Sequence, residues 1–407
     1  MTVSASSPES SFPEAGSRPL RIAMVGNGAT VHALVRGGAI AALGHEVRLV
    51  TLGPVLPHEG LQVLTRPLPR NPVQGFRAFL SFQRDLRDFR PDLLHVHYAG
   101  GRLGSLALAS GIKPLVVTVM GGDVQPEQHL GRANWLDHRA TKRLLRESDL
   151  LLAKSTALRI DIARYGDYTA KIETVRWGIE QSRFARKPAQ GEALRRKMDL
   201  PSGPILLSPR SLRPLYNIHL IVDAMPGILA QCPEALLLIS RHREDPEYAR
   251  ELRRRVSAQG IDRSVRFIES IDHEEMPALL GITSVVISVP FSDGLPQTLF
   301  ESLASEAPIV LGRLDAYREI VDHEREVLLS DLNAPAIAAA VSRLLLDDAL
   351  AARLRTAGLK RIQEEASLLD EARRVEILYR RVLAGGRRPS SLGPRFLDAI
   401  SLALRRG

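Results

Sequence analysis

The sequence predicts an α/β protein of two doubly wound parallel-sheet domains facing one another across a cleft. Three observations predict it. Short apolar runs, apolar on both faces, alternate with stretches of helical period, the pattern of a buried parallel sheet. That alternation occurs twice, once in each half of the chain. The length of 407 residues, with 44% hydrophobic and 25% charged side chains, suffices for two ordinary globular cores. The expected organisation is a disordered tail at 1–18, a first domain at 19–185, a second at 186–380 and a basic tail at 381–407 with an amphipathic segment.

Composition narrows the function. The first eighteen residues are rich in Ser, Pro and Glu and lack an apolar core segment, which fits a disordered tail and not a signal peptide. A single cysteine, Cys232, excludes an internal disulfide and any multi-cysteine metal site, and fits a reduced, cytoplasmic compartment. No apolar run approaches the roughly 20 residues that cross a bilayer. The net charge of +9, carried mostly by Arg, calls for anionic partners. With 5% aromatics and no zinc-finger, RNP or basic-region pattern, nucleic acid is not expected among them. A phosphorylated substrate or an anionic membrane surface explains the charge.

In the first half, the strand at 21–25 leads into Gly26, Asn27, Gly28 and Ala29, then a helical stretch to Leu43 and a strand at 47–51. Glycines at such a turn let a ligand approach the backbone. The full dinucleotide fingerprint is missing, and no acidic residue ends the second strand, so a nicotinamide cofactor is not expected. Residues 74–90 place Phe76, Phe79, Leu80, Phe82, Leu86 and Phe89 on a helical pattern with arginines between them. The expectation there is a core-facing helix with a solvated basic face, and the sharper alternative is a membrane-surface helix. Strands follow at 93–97, 115–119 and 150–153. They set His97 and the loop Met120, Gly121, Gly122, Asp123 at carboxyl strand ends, where a substrate would lie.

The second half opens with a strand at 204–208, after a linker with a short charged helix at 181–203. Further strands are expected at 235–239, 265–268, 284–289, 308–311 and 326–329, with residues 333–380 almost wholly helical. Arg210 and Arg213 stand just past the first of these strands, and several arginines at one edge suit an anion such as a diphosphate. After the run at 284–289 comes a short acidic loop and then a helix carrying Leu299, Leu303 and Ala304. Asp293 precedes that helix and Glu301 lies inside it, so two carboxylates can bracket a ligand whose phosphates meet the helix start.

These residues resemble the retaining glycosyltransferases of family four, with the GT-B architecture of two facing Rossmann domains, over about Arg21 to Tyr379. The pieces that carry the resemblance are Gly44 to Val47, Pro91 to His97, Val117 to Asp123, Ser155, Val175 to Glu180 with Phe184, and Pro209-Arg210 leading to Asn217. The most specific is the acid-x7-acid element from Asp293 through Glu301. The resemblance implies a nucleotide-diphosphate sugar bound by the second domain. Glu301 would hold the ribose, Asp293 the sugar hydroxyls, the N–H groups near Gln297 and Thr298 the phosphates, and Arg210 the leaving diphosphate.

The implied catalytic set is Asp293, Arg210 and His97, and the implied donor-binding set is Glu301, Arg213, Tyr216, Asn217, Gly294, Leu295, Pro296, Gln297, Thr298 and Gly28. Gly121, Gly122 and Asp123 form an acceptor-side loop. No metal or other cofactor is implied, the acceptor is a glycan or lipid-linked molecule, and retention follows from front-face attack. Tyr216 stands where the family usually has a Lys, Met120 where many members have a His, and Pro296 where a Gly is frequent. Tyr216 and Met120 motivate an alternative, a non-catalytic nucleotide-sugar-binding subunit. A sugar-nucleotide epimerase on the same architecture is a second, against which the acid-x7-acid element speaks. The segment Arg395 to Arg406 is expected to pack back on the first domain, with peripheral contact to an anionic membrane as the other reading.

Overall fold

The computed structural model describes residues 18–69, 71–125, 135–269 and 271–386. The Ser/Pro/Glu-rich tail through residue 17 and the segment Arg395 to Arg406 lie outside the described residues.

Seven strands form the first sheet: β1 (Arg21–Val25), β2 (Glu46–Leu52), β3 (Gln62–Arg66), β4 (Leu93–His97), β5 (Leu115–Thr118), β6 (Leu150–Ala153) and β7 (Ile172–Thr174), in the order β3-β2-β1-β4-β5-β6-β7. Six form the second: β8 (Ile205–Ser208), β9 (Leu236–Ser240), β10 (Val265–Ile268), β11 (Val285–Ser288), β12 (Ile309–Gly312) and β13 (Leu328–Ser330), in the order β10-β9-β8-β11-β12-β13. The pairings of β1 with β2 and β4, and of β8 with β9 and β11, are parallel. β4, β8 and β11 are buried along their whole length, as strands apolar on both faces must be when helices cover both sides. The two parallel sheets and intervening helices are the α/β class expected.

Each sheet grows outward on one side and then reverses, between β1 and β4 in the first and between β8 and β11 in the second. In an open α/β sheet, ligands bind beyond the carboxyl ends of the strands at this reversal. Gly26 and Gly28 follow β1 and His97 ends β4; Arg210 follows β8 and Asp293 follows β11.

β3 was not expected. It is an edge strand, half-exposed, and its polar Gln62, Thr65 and Arg66 break any apolar run. The stretch 333–380 is three helices, Ala334–Leu346, Asp348–Glu365 and Leu368–Ala384; the Asp347 carboxylate caps the second by accepting from Leu350 N–H at 2.9 Å. In the Pro72–Phe89 helix, Phe79, Phe82, Leu86 and Phe89 are buried as expected, but Phe76 and Leu80 are 43% and 49% exposed. The helix turns only its carboxyl-terminal half fully into the core.

Among the described residues, contact density divides the chain into two compact units, one of residues 18–118, 140–151 and 372–386, the other of 119–125, 135–139 and 152–371. Within the first unit, the Tyr379 hydroxyl meets the buried His95 ring and Glu376 lies 3.3 Å from His45, so the last helix closes over β1 and β4. Within the second, Ile179 N–H donates to the Ala366 carbonyl at 3.0 Å and Leu368 N–H to the Ile179 carbonyl at 3.2 Å. This pairing leaves no room at Gly178, where a Cβ would fall 2.3 Å from the Ser367 backbone. Gly178→Ala should therefore destabilise by about 1–3 kcal/mol, the usual cost of forcing extra atoms into a packed site. The check is a melting curve, which falls by several degrees.

Candidate active site

The site is built where β11 gives way to the Gln297–Ala304 helix. Asp293 is nearly buried, with 9% of its side chain exposed, and its carboxylate is fully engaged. Oδ1 accepts from Gly294 N–H at 2.8 Å, and Oδ2 accepts from the Tyr317 hydroxyl at 3.1 Å and pairs with Arg210 at 2.7 Å. Arg210 and Asp293 thus join the carboxyl ends of β8 and β11 at the sheet reversal. Burial opposes the charge on Arg210, but Asp293 outweighs it and keeps the guanidinium pKa raised. Burial, the Asp293 charge and the hydrogen bond to it hold the Tyr317 hydroxyl protonated, well above its ordinary value.

Tyr216 lies under Arg210, the guanidinium carbon 4.5 Å from the ring centroid. The residue that replaces the usual lysine therefore holds the arginine by a cation–π contact. Arg210 Nη1 is buried with no hydrogen-bond partner among the described residues. A buried charged donor left unmatched is costly, and it marks a place for an anion.

Leu295, in the loop, is buried with φ of 71°, a left-handed conformation that costs a non-glycine residue about 1–2 kcal/mol. Strain of this kind gathers where surrounding structure fixes a functional loop. Pro296, in extended conformation, directly precedes the helix, and Gln297 is the first helical residue. The first turn of a helix presents backbone N–H groups that attract negative charge, and here that turn begins at Gln297 and Thr298.

Glu301 lies on this helix with its side chain 12% exposed. Burial pushes its carboxyl pKa up to about 7, against the opposing pull of Arg183, Arg210 and a hydrogen bond from Gln297. His273 Nδ1 stands 3.9 Å from Glu301 Oε1, but burial, helped by Arg183, lowers the imidazole to about 4, so the ring is neutral at pH 7 and the two make no ion pair. The Phe184 ring lies 5.4 Å from that of His273. The two carboxyl groups thus have different surroundings: Asp293 is held by Arg210, Tyr317 and Gly294, whereas burial brings Glu301 to about 7.

Lys154, just past β6, was not singled out from the sequence. It is 7% exposed, and its Nζ stands 4.5 Å over the Trp177 ring. A Cβ on Gly294 would come within 3.2 Å of its Cε and 3.8 Å of its Nζ, so this cation abuts the Asp293 loop. The legible signal was a lysine directly ending an apolar strand. His273 and Arg183 were also missed, since both sit in segments without a strand-end signature.

The remaining expected residues fall as follows. Arg213 Nε donates to the Arg243 carbonyl at 3.3 Å, and Asn217, with φ of 49°, donates its amide to the Val289 carbonyl at 3.1 Å. Both tie down the loop that carries Arg210. Asp123 pins its own loop, accepting from Met120 N–H at 3.1 Å and Gly121 N–H at 2.8 Å. Gly28 and His97 belong to the first unit. Gly28 N–H donates to Thr51 Oγ1 at 2.9 Å, and a Cβ there would meet Thr51 and Val55 at 3.0 and 3.1 Å. His97 is buried with neither ring nitrogen hydrogen-bonded among the described residues. Burial, then the neighbouring His95, Arg36 and His32, hold it neutral, well below its ordinary pKa. Among the described residues, no cluster of three or more His, Cys, Asp or Glu is placed to hold a metal.

Two doubly wound sheets, one with a carboxylate-and-arginine site at its reversal, define a GT-B protein. The chain belongs to glycosyltransferase family 4: residues 26–183 match the Glycosyltransferase Family 4 model and residues 191–361 the Glycosyl transferases group 1 model. It is therefore a glycosyltransferase. It is 24% identical over 316 residues to a glycogen synthase of Mycobacterium tuberculosis, covering 74% of this chain and 72% of that one. It is 25% identical over 269 residues to the GDP-mannose-dependent alpha-(1-6)-phosphatidylinositol monomannoside mannosyltransferase of Mycolicibacterium smegmatis, covering 63% and 67%. In fold it is similar to Anabaena HepE, solved in complex with UDP-glucose, with a TM-score of 0.75 at 15% identity over 89% of this chain and 100% of that one.

Proposed function

We propose that the chain is a retaining enzyme that moves a hexose-type sugar from a nucleotide diphosphate to a glycan or lipid-linked acceptor, as in bacterial cell-surface polysaccharide or glycolipid synthesis. The observation that carries this reading is the buried, unpartnered Nη1 of Arg210 beside Asp293 at the sheet reversal. In this reading Glu301 accepts hydrogen bonds from the ribose hydroxyls and Asp293 from the transferred sugar. Arg210 and the N–H groups of Gln297 and Thr298 receive the diphosphate. Lys154, against Gly294, supplies the second positive charge that Tyr216 cannot. The acceptor is received beside the Gly121, Gly122, Asp123 loop, and the neutral His97 is offered to a substrate hydroxyl.

The acceptor oxygen attacks the anomeric carbon from the face that the diphosphate leaves. The bond to the diphosphate oxygen breaks with its electron pair going to the leaving group, and the acceptor proton passes to a departing phosphate oxygen. Fixed positive groups aimed at that developing charge lower the barrier. Side chains and the helix start carry this charge in the proposal, with no metal assigned to it. The cytoplasmic side of a membrane suits both substrates. Among the described residues no helix is long and apolar enough to cross one.

Product analysis tests the stereochemistry: an α-linked nucleotide sugar gives an α-linked product by its anomeric proton coupling, and a β-linked product refutes retention. Lys154→Met should lower kcat about tenfold in a chain that a melting curve shows to be folded, the share expected of one charged contact to a phosphate. Unchanged kinetics would remove Lys154 from the site.

A further inference from the structure

Phe291 follows the buried Pro290 past the carboxyl end of β11 and stands two residues before Asp293. It is 64% exposed. Among the described residues of the second unit, the other exposed large hydrophobic side chains, Ile160, Leu346 and Leu369, are aliphatic and lie on helices away from strand ends. A phenylalanine on a free loop gains by folding onto apolar surface, but the backbone around Phe291 is tied down. Proline fixes the torsion ahead of it, its own N–H donates to the Leu215 carbonyl at 2.9 Å, and the Val289 carbonyl accepts from the Asn217 amide at 3.1 Å. On the other side the Ser292 hydroxyl donates to Gln125 Oε1 at 3.3 Å. The ring is thus held in water on a fixed loop, with only its two side-chain torsions left to settle when a ligand arrives.

Gln125 says which ligand. Its N–H donates to the Gly121 carbonyl at 2.9 Å and so closes the Gly121, Gly122, Asp123 loop, and the Met120 carbonyl lies 3.9 Å from where a Cβ on Gly294 would fall. The loop that carries Phe291 and Asp293 therefore meets the acceptor-side loop inside one unit. The nucleoside end of the donor belongs at Glu301, whose neighbours are His273, Arg183 and Gln297, whereas those of Phe291 and Ser292 are Leu215 and Gln125. A pyranose has hydroxyls that need hydrogen bonds and a C–H face whose hydrogens carry partial positive charge, which suits the negative face of an aromatic ring. Phe291 offers that face, and Ser292 and Gln125 offer a hydroxyl and an amide beside it. We propose that Phe291 is the stacking platform for a pyranose ring of the acceptor, holding it beside the Asp293 loop. The assignment rests on the transferase reading above and narrows its acceptor to one that presents a sugar ring.

The test is saturation-transfer NMR of the full chain with the methyl pyranosides of glucose, galactose, mannose and N-acetylglucosamine. At least one glycoside should receive saturation in wild type, strongest on the C–H protons of one ring face. Phe291→Ala should lose it and Phe291→Trp should keep it, and because the side chain is exposed both variants should melt as wild type does. With that glycoside as acceptor, and as donor the nucleotide sugar that stabilises wild type, Phe291→Ala should raise the acceptor's KM about tenfold, the order of one stacked ring, and leave the donor's KM where it is. The proposal is overturned if none of the glycosides is saturated by wild type, or if Phe291→Ala saturates them equally. A rise in the donor's KM alone overturns it too, since the ring would then serve the donor. If no nucleotide sugar stabilises wild type, the transferase reading falls and this assignment with it; if one does and the glycosides ignore Phe291, only this assignment falls.

Discussion

Arg210→Ala lowers kcat by about two to three orders of magnitude, the loss expected when a preorganised charge aimed at a leaving group is removed. The expectation rests on an arginine whose Nη1 is buried and unmatched while its other arm holds Asp293 at 2.7 Å. The same substitution leaves Asp293 in its buried network without its cation, so it also destabilises, by up to about 3–5 kcal/mol. The double variant Arg210→Ala/Asp293→Asn separates the two effects. It should recover most of the melting temperature, because the stranded charge is gone, and none of the activity. Recovery of activity together with stability would make the pair structural.

Glu301→Gln weakens donor binding about tenfold to a hundredfold, the worth of a hydrogen bond to a charged acceptor, and changes its pH dependence. Burial holds the carboxyl up to about 7, so at pH 6 most of the free enzyme carries the neutral acid. If ribose hydroxyls are bound by the carboxylate, donor affinity rises about tenfold between pH 6 and pH 8 in wild type and is flat in Glu301→Gln. Calorimetric titration at those pH values is the check. The sign for stability runs the other way. The folded-state pKa is above the unfolded value of 4.5, so between them the folded chain binds more protons and loses stability as pH rises. Glu301→Gln should therefore melt higher than wild type at pH 8, by of order 3 kcal/mol at most, and alike near pH 4.

Buried strands were the legible part of this fold. β1, β4 and β6 occupy the predicted residues, because strands buried on both faces leave nearly unbroken runs, and the edge strand β10 does too, since Val265, Phe267 and Ile268 keep it apolar around Arg266. β3 escaped because an edge strand with one wet face has no such run. Nothing in the local pattern of Leu368–Ala384 says which sheet it covers; that is decided by Tyr379 and Glu376 meeting His95 and His45, hundreds of positions away. At the site, Asp293, Glu301 and Arg210 were readable as strand-end and helix-start residues of suitable chemistry. Their states were not: the carboxylate network through Tyr317 and the raised Glu301 follow from burial and distant neighbours. Lys154 was hidden for the same reason, since its approach to Gly294 joins residues 140 positions apart.

The account turns on one claim, that the Arg210, Asp293 and Glu301 site holds a nucleotide-diphosphate sugar. Melting temperatures in the presence of UDP, GDP, ADP and TDP sugars test it most directly, because a ligand bound only by the folded chain raises the transition by mass action. The account predicts stabilisation by one nucleotide class in wild type and its loss in Glu301→Ala. Equal stabilisation of Glu301→Ala, or none of wild type by any of the four, would contradict it.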